Sequence, residues 1–241
     1  MYLIGFLTAW FLVKQDIRRS GLGREHTQRE ELLLDNLMLY LILGVIVGGR
    51  LGYCLFYNLS YYTSHPLEIF ATWHGGMSFH GGALGAALGG AIFCWRKGEP
   101  FFKWADRFVW PAPIGLFFGR LGNFINGELY GRVTDVPWAM VFPAGGPLPR
   151  HPSQLYEAIL EGPLLFGILT ILKRKDLPQG WLFASFFIGY GVLRFMVEFV
   201  REPDPQLGFI AFGWMTMGQV LSLGLIVFGL SLLFMLKATS H

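Results

Sequence analysis

Charged residues are scarce in this chain. They make up 15% of its 241 residues, whereas soluble domains carry about 25%. Hydrophobic residues reach 53% and aromatic residues 17%. An aromatic content of this kind is typical of membrane-spanning helices with aromatic belts at both interfaces. The shortage of charge therefore argues against an ordinary soluble domain and predicts an integral membrane protein.

Cysteine and the common nucleophile motifs are also nearly missing. The two cysteines, Cys54 and Cys94, fall on different apolar segments, so we expect no disulfide and expect both to be packing residues. The chain lacks the Gly-x-Ser-x-Gly motif that carries the serine of α/β-hydrolases. These absences argue against a covalent lipase mechanism. The net charge of +3 is spread over several loops and predicts no nucleic-acid-binding surface.

Long apolar segments are what the chain does contain. A transmembrane helix needs about 20 apolar residues, and only the first segment is clearly shorter. The segments cover residues 1–13, 32–57, 75–95, 105–125, 154–172, 180–200 and 212–236. This pattern predicts an all-α integral membrane protein with about seven transmembrane helices, the first short or truncated. We expect residues 1–241 to form a single polytopic membrane domain.

The distribution of Lys and Arg predicts the orientation. Thirteen of these residues lie at Lys237 or in the loops 14–31, 96–107 and 173–179, and three lie in the alternate loops. Basic loops stay in the cytoplasm, so the N-terminus is predicted outside and the C-terminus inside. The connection 126–153 is then extracytoplasmic, and its many Pro and Gly residues predict a cap over the outer end of the helices.

The charged and histidine side chains that we expect to be embedded in the membrane all fall in its predicted outer half. Such a side chain at the membrane centre costs about 2.5–3.5 kcal/mol, and is a functional-site candidate by default. These residues are Arg50, His80, Arg120, Glu157, Glu161, Arg194 and Glu198. Their clustering in one leaflet predicts a water-accessible cavity that opens toward the extracytoplasmic side.

One predicted helix face carries four polar side chains. Tyr190, Arg194, Glu198 and Arg201 are spaced i, i+4, i+8 and i+11, so they fall within about 80° of the helix circumference. The face is compatible with a structural ion pair that locks two helices. It is equally compatible with an anion clamp, because the planar guanidinium of Arg donates paired hydrogen bonds to phosphate.

The run 119–132 combines four glycines with polar side chains. Arg120 and Asn123 share a helix face. The glycines allow close helix packing, or turns that expose backbone N–H groups to an anion. Packing of small residues explains the glycines but leaves Arg120 and Glu128 unexplained.

Histidines mark two further segments. His74 and His80 are six residues apart and do not share a helix face, so their spacing argues against a metal site, which on a helix favours i, i+4. Their flanking glycines predict a loop or broken helix that lines a cavity, where His80 can accept a proton near neutral pH. The run 151–157 predicts a helix entry with Ser153 as its N-cap, and Glu157 requires a buried partner.

Four motifs together resemble the prolipoprotein diacylglyceryl transferase family. They are Gly-Arg-Leu-Gly-Asn-Phe-Ile-Asn-Gly-Glu-Leu-Tyr-Gly-Arg at 119–132, His-Gly-Gly-Met-Ser-Phe-His-Gly-Gly at 74–82, His-Pro-Ser-Gln-Leu-Tyr-Glu at 151–157, and Gly-Tyr-x-x-x-Arg-Phe-x-Val-Glu-Phe-x-Arg-Glu-Pro-Asp at 189–204. The resemblance implies a bacterial inner-membrane enzyme that moves the diacylglyceryl group of phosphatidylglycerol onto the lipobox cysteine of a preprolipoprotein. The products are a thioether and glycerol phosphate, and neither a cofactor nor a metal is implied.

The resemblance also implies roles for individual residues. His80 is the candidate general base, and Arg120 and Arg194 would hold the phosphate and stabilise the leaving group. The remaining family positions are expected to bind or orient substrate; they are Asn123, Asn126, Glu128, Gly131, Tyr190, Glu198, Arg201, His151 and Glu157. We add Arg50 to this substrate-binding set, with the alternative that it only pairs with Glu157 or Glu161.

The N-terminus departs from the family pattern. Family members usually carry a further N-terminal stretch with a His/Arg-Trp-Tyr-Gly motif, whose tyrosine is thought to lie in the site. Here the likeness begins at Met1 and Tyr2. We therefore expect the first span to be incomplete relative to the family.

Two functions of other classes compete with the transferase. A lipid transporter or flippase also needs buried charges and broken helices. However, the charged motifs do not recur in two halves of the chain, and alternating access requires a site at the membrane centre. A non-catalytic phospholipid-binding membrane protein is the other alternative, and only an assay of the chemistry separates it from the enzyme.

Overall fold

Helices dominate the computed structural model, which describes residues 2–21, 23–203 and 208–238, apart from the side chains of Tyr2, His74, Phe79 and His80. The α-helices are α1 (Tyr2–Arg19), α2 (Arg24–Phe56), α3 (Leu59–Ser64), α4 (Phe79–Lys97), α5 (Phe101–Val109), α6 (Ala112–Ile125), α7 (Ser153–Ile159), α8 (Leu165–Lys173), α9 (Trp181–Val197) and α10 (Met217–Ala238). Short 3-10 helices cover Pro66–Phe70, Thr72–His74 and Pro143–Gly145, a π-helical turn covers Leu160–Leu164, and β1 (Phe209–Ala211) pairs with β2 (Met215–Thr216).

Each predicted apolar segment coincides with helix, but two boundaries differ from the prediction. The segment 105–125 is divided between α5 and α6, because Pro111 interrupts the backbone hydrogen bonding between them. Most of the predicted loop 14–31 is helical, because α1 continues to Arg19 and α2 begins at Arg24. Its polar residues have good helix propensity, and an Arg18 Nε to Glu31 Oε1 hydrogen bond of 2.6 Å joins the two helical ends.

Within the described ranges, three helical stretches are long and apolar enough to cross a membrane. They are Arg24–Phe56, Ser153–Lys173 and Met217–Ala238, and α9 is a shorter apolar helix. The chain is therefore a helical membrane protein. The number of seven spans and the single domain over 1–241 stay predictions.

Backbone contacts group residues 14–101 into one compact unit. Its centre is a seam of glycines between α2 and α4. A Cβ atom on Gly52 would lie 2.8 Å from the Gly81 Cα, and one on Gly85 would lie 2.9 Å from the Gly48 Cα. Glycines spaced four apart let transmembrane helices approach this closely. The seam therefore positions the N-terminal end of α4 against α2.

The second unit comprises residues 1–13 and 102–241. Val109, Leu165, Leu169 and Leu182 form a buried cluster within it. The Asp106 carboxylate accepts backbone N–H groups of Gly180 and Phe183 at 2.6 and 2.7 Å. It thus satisfies orphan donors at the N-terminus of α9.

A π-helical turn joins α7 to α8. It contains Pro163, which lacks a backbone N–H, and Gly162, whose φ/ψ of −94°/−106° is not helical. A Cβ on Gly162 would lie 2.7 Å from the Phe117 Cβ of α6. The turn therefore lets the chain pass close to α6 and places Glu157 and Glu161 beside it.

The connection 126–153 is ordered by bridges rather than by long elements. Isolated β-bridges join Val133 and Met140 to Arg150. Tyr130 stacks on buried Phe142 at 5.7 Å between ring centres, and the Arg150 guanidinium lies over the Tyr130 ring. These contacts hold the connection as a folded layer; its place outside the membrane stays a prediction.

Candidate active site

Six charged side chains of the described residues form one buried ionic network. They are Arg120 of α6, Glu157 of α7, Glu161 of the π-helical turn, Arg194 of α9, and Glu198 and Arg201 just beyond α9. Glu157 and Glu161 are fully buried, whereas the Arg120 side chain remains 16% exposed. The formal charges of the three guanidinium groups and three carboxylates cancel, which makes burial of the group tolerable.

The Glu157 carboxylate stands at the centre of this network. Its Oε1 accepts a hydrogen bond of 2.6 Å from Arg194 Nη1, and its Oε2 lies 2.8 Å from Arg120 Nη1. Arg201 Nε lies 3.8 Å from Oε1. Guanidinium groups from two helices therefore converge on a single carboxylate. Two oxygens of a phosphate present a similar fork to such donors.

Arg120 and Arg194 each contact a second carboxylate besides Glu157. Arg120 Nε donates to Glu161 Oε2 at 3.0 Å, and Arg194 Nη2 lies 2.8 Å from Glu198 Oε2. Thr216 Oγ1 donates to Glu198 Oε1 at 2.9 Å. Because both arginines have two carboxylate partners, their orientations are set before any ligand arrives.

On the predicted polar face of 190–201, the charged members contact one another directly. Arg194, Glu198 and Arg201 meet as ion pairs. The Tyr190 ring stacks on Phe186 at 5.9 Å and packs against the buried leucine cluster, and its hydroxyl is close enough to Glu161 and Arg120 to interact with them electrostatically. The structural ion pair of the first alternative is present, and the anion clamp stays a prediction.

The signature 119–132 forms the end of α6 and a tight turn. The turn needs positive φ angles at Gly127 and Leu129, of 69° and 58°. The backbone N–H of Glu128 donates to the Asn123 carbonyl at 3.0 Å, and Asn126 Nδ2 donates to Glu128 Oε1 at 3.3 Å. The side chains of Asn126 and Glu128 are exposed, so the amide and the carboxylate are accessible at the protein surface.

Gly131 and His151 are neighbours across the connection. Gly131 N donates to the His151 carbonyl at 2.9 Å, and a Cβ at Gly131 would lie 2.6 Å from the Val200 carbonyl oxygen. The His151 Nδ1 lies 3.2 Å from the Tyr156 hydroxyl, which also accepts from Trp138 Nε1 at 2.6 Å. Glycine at 131 is thus required by packing, and its predicted substrate contact is untested.

The prediction that Ser153 is an N-cap is wrong. α7 begins at Ser153 itself, and Pro152 occupies the N-cap position without a side-chain bond. The Ser153 hydroxyl donates to the Leu129 carbonyl at 3.1 Å, and Gln154 Nε2 donates to the Glu128 carbonyl at 2.7 Å. Both polar side chains therefore donate to backbone carbonyls of the turn in 119–132, because these carbonyls are not part of a regular helix or sheet.

Two other predicted site residues belong to the unit 14–101. His80 is in the first turn of α4, but its side chain lies outside the described part of the structure. Arg50 is 4% exposed and donates to backbone carbonyls of the segment 68–76. Cys54 and Cys94 are buried and form no disulfide.

Among the residues that the structure describes, no group of three or more His, Cys, Asp or Glu side chains has the arrangement of a metal site.

Sequence reasoning missed part of the network. Glu157 and Glu161 are four residues apart and so share a helix side, a signal that could have paired both with one arginine. Thr216 carried no signal, because it comes from a strand 18 residues beyond its partner Glu198. The carbonyl partners of Arg50 were equally hidden, since a carbonyl belongs to every residue type.

Comparisons with known proteins identify the family. The family model for prolipoprotein diacylglyceryl transferase matches residues 1–235. A protein of Desulfotalea psychrophila named phosphatidylglycerol–prolipoprotein diacylglyceryl transferase is 56% identical over 240 residues, which cover 97% of this chain and 86% of the relative. Proteins of the same name from Geobacter sulfurreducens and Pseudomonas aeruginosa are 54% and 52% identical over 96% and 97% of this chain, and 87% and 86% of their own lengths. The chain belongs to the prolipoprotein diacylglyceryl transferase family.

Proposed function

We propose that this protein transfers the diacylglyceryl group of phosphatidylglycerol to the lipobox cysteine thiol of preprolipoproteins, the first step of lipoprotein maturation. The observation that carries the proposal is the convergence of Arg120 and Arg194 on one buried carboxylate, in a chain that matches this family over 1–235. A transferase for an anionic lipid needs such paired cations in a site flanked by apolar helices.

The reaction is a substitution at the carbon of the diacylglyceryl group that is bonded to the phosphate oxygen. The cysteine sulfur forms a C–S bond to this carbon while the C–O bond to the phosphate breaks, and the bonding electrons stay with the phosphate oxygen. Glycerol phosphate leaves, and the thiol proton passes to His80. A free thiol has a pKa near ~8.5, and a general base contributes about 10²–10⁴-fold.

Arg120 and Arg194 stabilise the leaving phosphate. A phosphodiester carries one negative charge, and the departing monoester gains a second, so donors aimed at its oxygens bind the transition state more strongly than the substrate. Glu157 and its neighbours keep these guanidinium groups oriented within the membrane. The phosphate then binds to guanidinium groups that are already oriented.

The remaining family positions hold the head group and the site walls. Asn126 and Glu128 present exposed polar atoms just beyond α6, where the hydroxyl groups of a glycerol head group can accept from the Asn126 amide and donate to the Glu128 carboxylate. Asn123, Gly131, His151, Tyr190, Glu198 and Arg201 complete the substrate-binding set that we propose. Their contribution is to orient the head group rather than to move a proton.

The proposed topology places this chemistry at the outer leaflet of the bacterial inner membrane. Seven spans, with the N-terminus outside and the C-terminus in the cytoplasm, put the connection 126–153 on the extracytoplasmic side as a cap. The basic segments 14–31, 96–107 and 173–179 support this orientation. The acyl chains of phosphatidylglycerol remain in the bilayer and enter between helices.

The decisive experiment combines the purified protein, phosphatidylglycerol nanodiscs and a lipobox peptide. We expect the peptide to gain one diacylglyceryl mass at its cysteine, with release of an equal amount of glycerol phosphate. A peptide with serine in place of cysteine is the control and should gain nothing. Binding of phosphatidylglycerol without any adduct would favour a lipid-binding protein, and movement of the intact lipid between leaflets would favour a flippase.

The same assay tests the two central residues. We expect His80→Ala and Arg120→Ala each to abolish the adduct while the protein still inserts in the membrane. The exposed Arg174→Ala, in the turn after α8, is the matched control and should keep full activity. Full activity in either of the first two variants would remove that residue from its assigned role.

A further inference from the structure

Arg50 has every donor of its guanidinium group occupied. It lies on α2 with 4% of its surface exposed. Nε donates to the carbonyl of Ile69 at 2.8 Å, Nη1 to Gly75 and Gly76 at 2.6 and 3.2 Å, and Nη2 to Glu68 and Ala71 at 2.5 and 3.0 Å. An arginine side chain has five N–H donors in a fixed fork, and here five backbone carbonyls receive them.

This saturation argues against a direct contact between Arg50 and substrate. To bind a phosphate, the guanidinium group would have to release backbone carbonyls, at a cost of about 1–3 kcal/mol for each buried carbonyl that has no other donor. The Tyr62 ring also covers the guanidinium carbon at 5.1 Å from the ring centre. Arg50 therefore differs from Arg120, whose partners are carboxylates on other helices.

The segment around Arg50 depends on those hydrogen bonds. It consists of two 3-10 turns followed by Gly75 and Gly76, whose φ angles are +82° and +77°. Such a backbone has few partners of its own, and irregular backbone at membrane depth must be satisfied by other groups. The buried guanidinium group of Arg50 is the common hydrogen-bond donor to five carbonyls of the segment 68–76.

The end of this segment is tied to the same part of α2. Ser78 N donates to the carbonyl of Gly49, the chain neighbour of Arg50, at 2.9 Å. The Ser78 hydroxyl then caps α4 by accepting from Gly81 N at 3.2 Å. His80 stands two residues after Ser78 in the chain. Hydrogen bonds of the Arg50 guanidinium group, the Ser78 backbone and the Ser78 hydroxyl thus link this part of α2 to the first turn of α4.

We propose that Arg50 is a positioning residue: it folds the segment 68–78 around its guanidinium group and so sets where the helix that carries His80 begins. The effect on catalysis rests on the proposed function, because it assumes that His80 is the general base. The effect of Arg50 on the folding of the segment does not depend on that function. It also replaces the expectation that Arg50 is a substrate ligand or the ion-pair partner of Glu157 or Glu161.

The first test is Arg50→Lys, which keeps the charge but offers three donors on one nitrogen. We expect kcat for peptide lipidation to fall on the order of 10²-fold, while KM for phosphatidylglycerol stays within about twofold, as for a residue that does not bind substrate. Amide hydrogen exchange should become faster in residues 68–79. Arg96→Lys, an exposed position on α4, is the matched control and should change none of these.

Gly76→Ala is the second variant, in case Arg50→Lys inserts poorly. A Cβ there would lie 2.6 Å from the Tyr53 ring and 3.0 Å from Arg50 Nη1, so it pushes the segment away while Arg50 itself is kept. The same loss of kcat with unchanged KM is expected. Gly98→Ala, whose φ is +65° with open space around the added Cβ, controls for backbone strain and should stay active.

Three outcomes would overturn the proposal: a rise in KM for phosphatidylglycerol without faster exchange, full kcat in Arg50→Lys, or full kcat in Gly76→Ala. The first would instead place Arg50 on the phosphate. If the unaltered protein forms no peptide adduct, the proposed function fails. The exchange data would then still decide whether Arg50 organises residues 68–79.

Discussion

At the scale of single residues, the fork of Arg120 matters as much as its charge. Its Nη1 and Nε reach two different carboxylates, Glu157 at 2.8 Å and Glu161 at 3.0 Å. A lysine ammonium is a point charge and lacks this planar geometry. We expect Arg120→Lys to insert normally and to lower kcat by about 10²–10³-fold, the usual loss when one donor to a developing anion is removed.

Steady-state lipidation of the peptide in nanodiscs measures this effect, with Arg174→Lys as the control outside the network. Activity of Arg120→Lys near that of the unaltered protein would mean that positive charge alone suffices. The family resemblance in the sequence implied that Arg120 and Arg194 act together on the phosphate. It did not predict that Glu157 joins them, because three segments distant in sequence meet there.

At the scale of elements, the glycine seam between α2 and α4 supports the unit 14–101. A Cβ on Gly85 would lie 2.9 Å from both the Gly44 carbonyl carbon and the Gly48 Cα, whereas one on Gly90 meets only the Leu41 side chain at 3.6 Å. The same substitution at the two positions therefore distinguishes the effect of close helix packing on stability from the effect of helix propensity.

We expect Gly85→Ala to destabilise the protein by about 1–3 kcal/mol through overpacking, while Gly90→Ala is neutral or stabilising. Thermal unfolding of the two variants in the same detergent measures the difference. Equal midpoints would show that α2 and α4 can separate without loss of stability. The apolar pattern predicted both helices, but spacing alone did not tell which glycines face the partner helix.

At the scale of the whole molecule, the asymmetry of Lys and Arg determines the predicted orientation. The loop 173–179 is basic and the loop 58–74 has no Lys or Arg, so they should lie on opposite sides of the membrane. With Cys54 and Cys94 replaced by serine, Ser60→Cys and Lys175→Cys place a thiol at an exposed position of each loop.

A membrane-impermeant thiol reagent should label Ser60→Cys in intact spheroplasts, and Lys175→Cys only after the membrane is opened. The two variants serve as controls for each other because each has one exposed thiol. Labelling of Lys175→Cys first would invert the orientation and move the proposed chemistry to the cytoplasmic leaflet. Labelling of both in intact cells would contradict the alternation of loops.

The sequence by itself determined the membrane class, the positions of the apolar helices and the family, because hydropathy, loop charge and motifs such as 119–132 are local properties of the chain. It could not show that the 14–31 loop is mostly helical, or that Ser153 serves the Leu129 carbonyl. Tertiary structure alone decided which carboxylate joins Arg120 to Arg194, and that Arg50 binds backbone carbonyls. Such partners are chosen by three-dimensional proximity and by the need to satisfy buried polar groups, and neither requirement leaves a fixed spacing in the sequence.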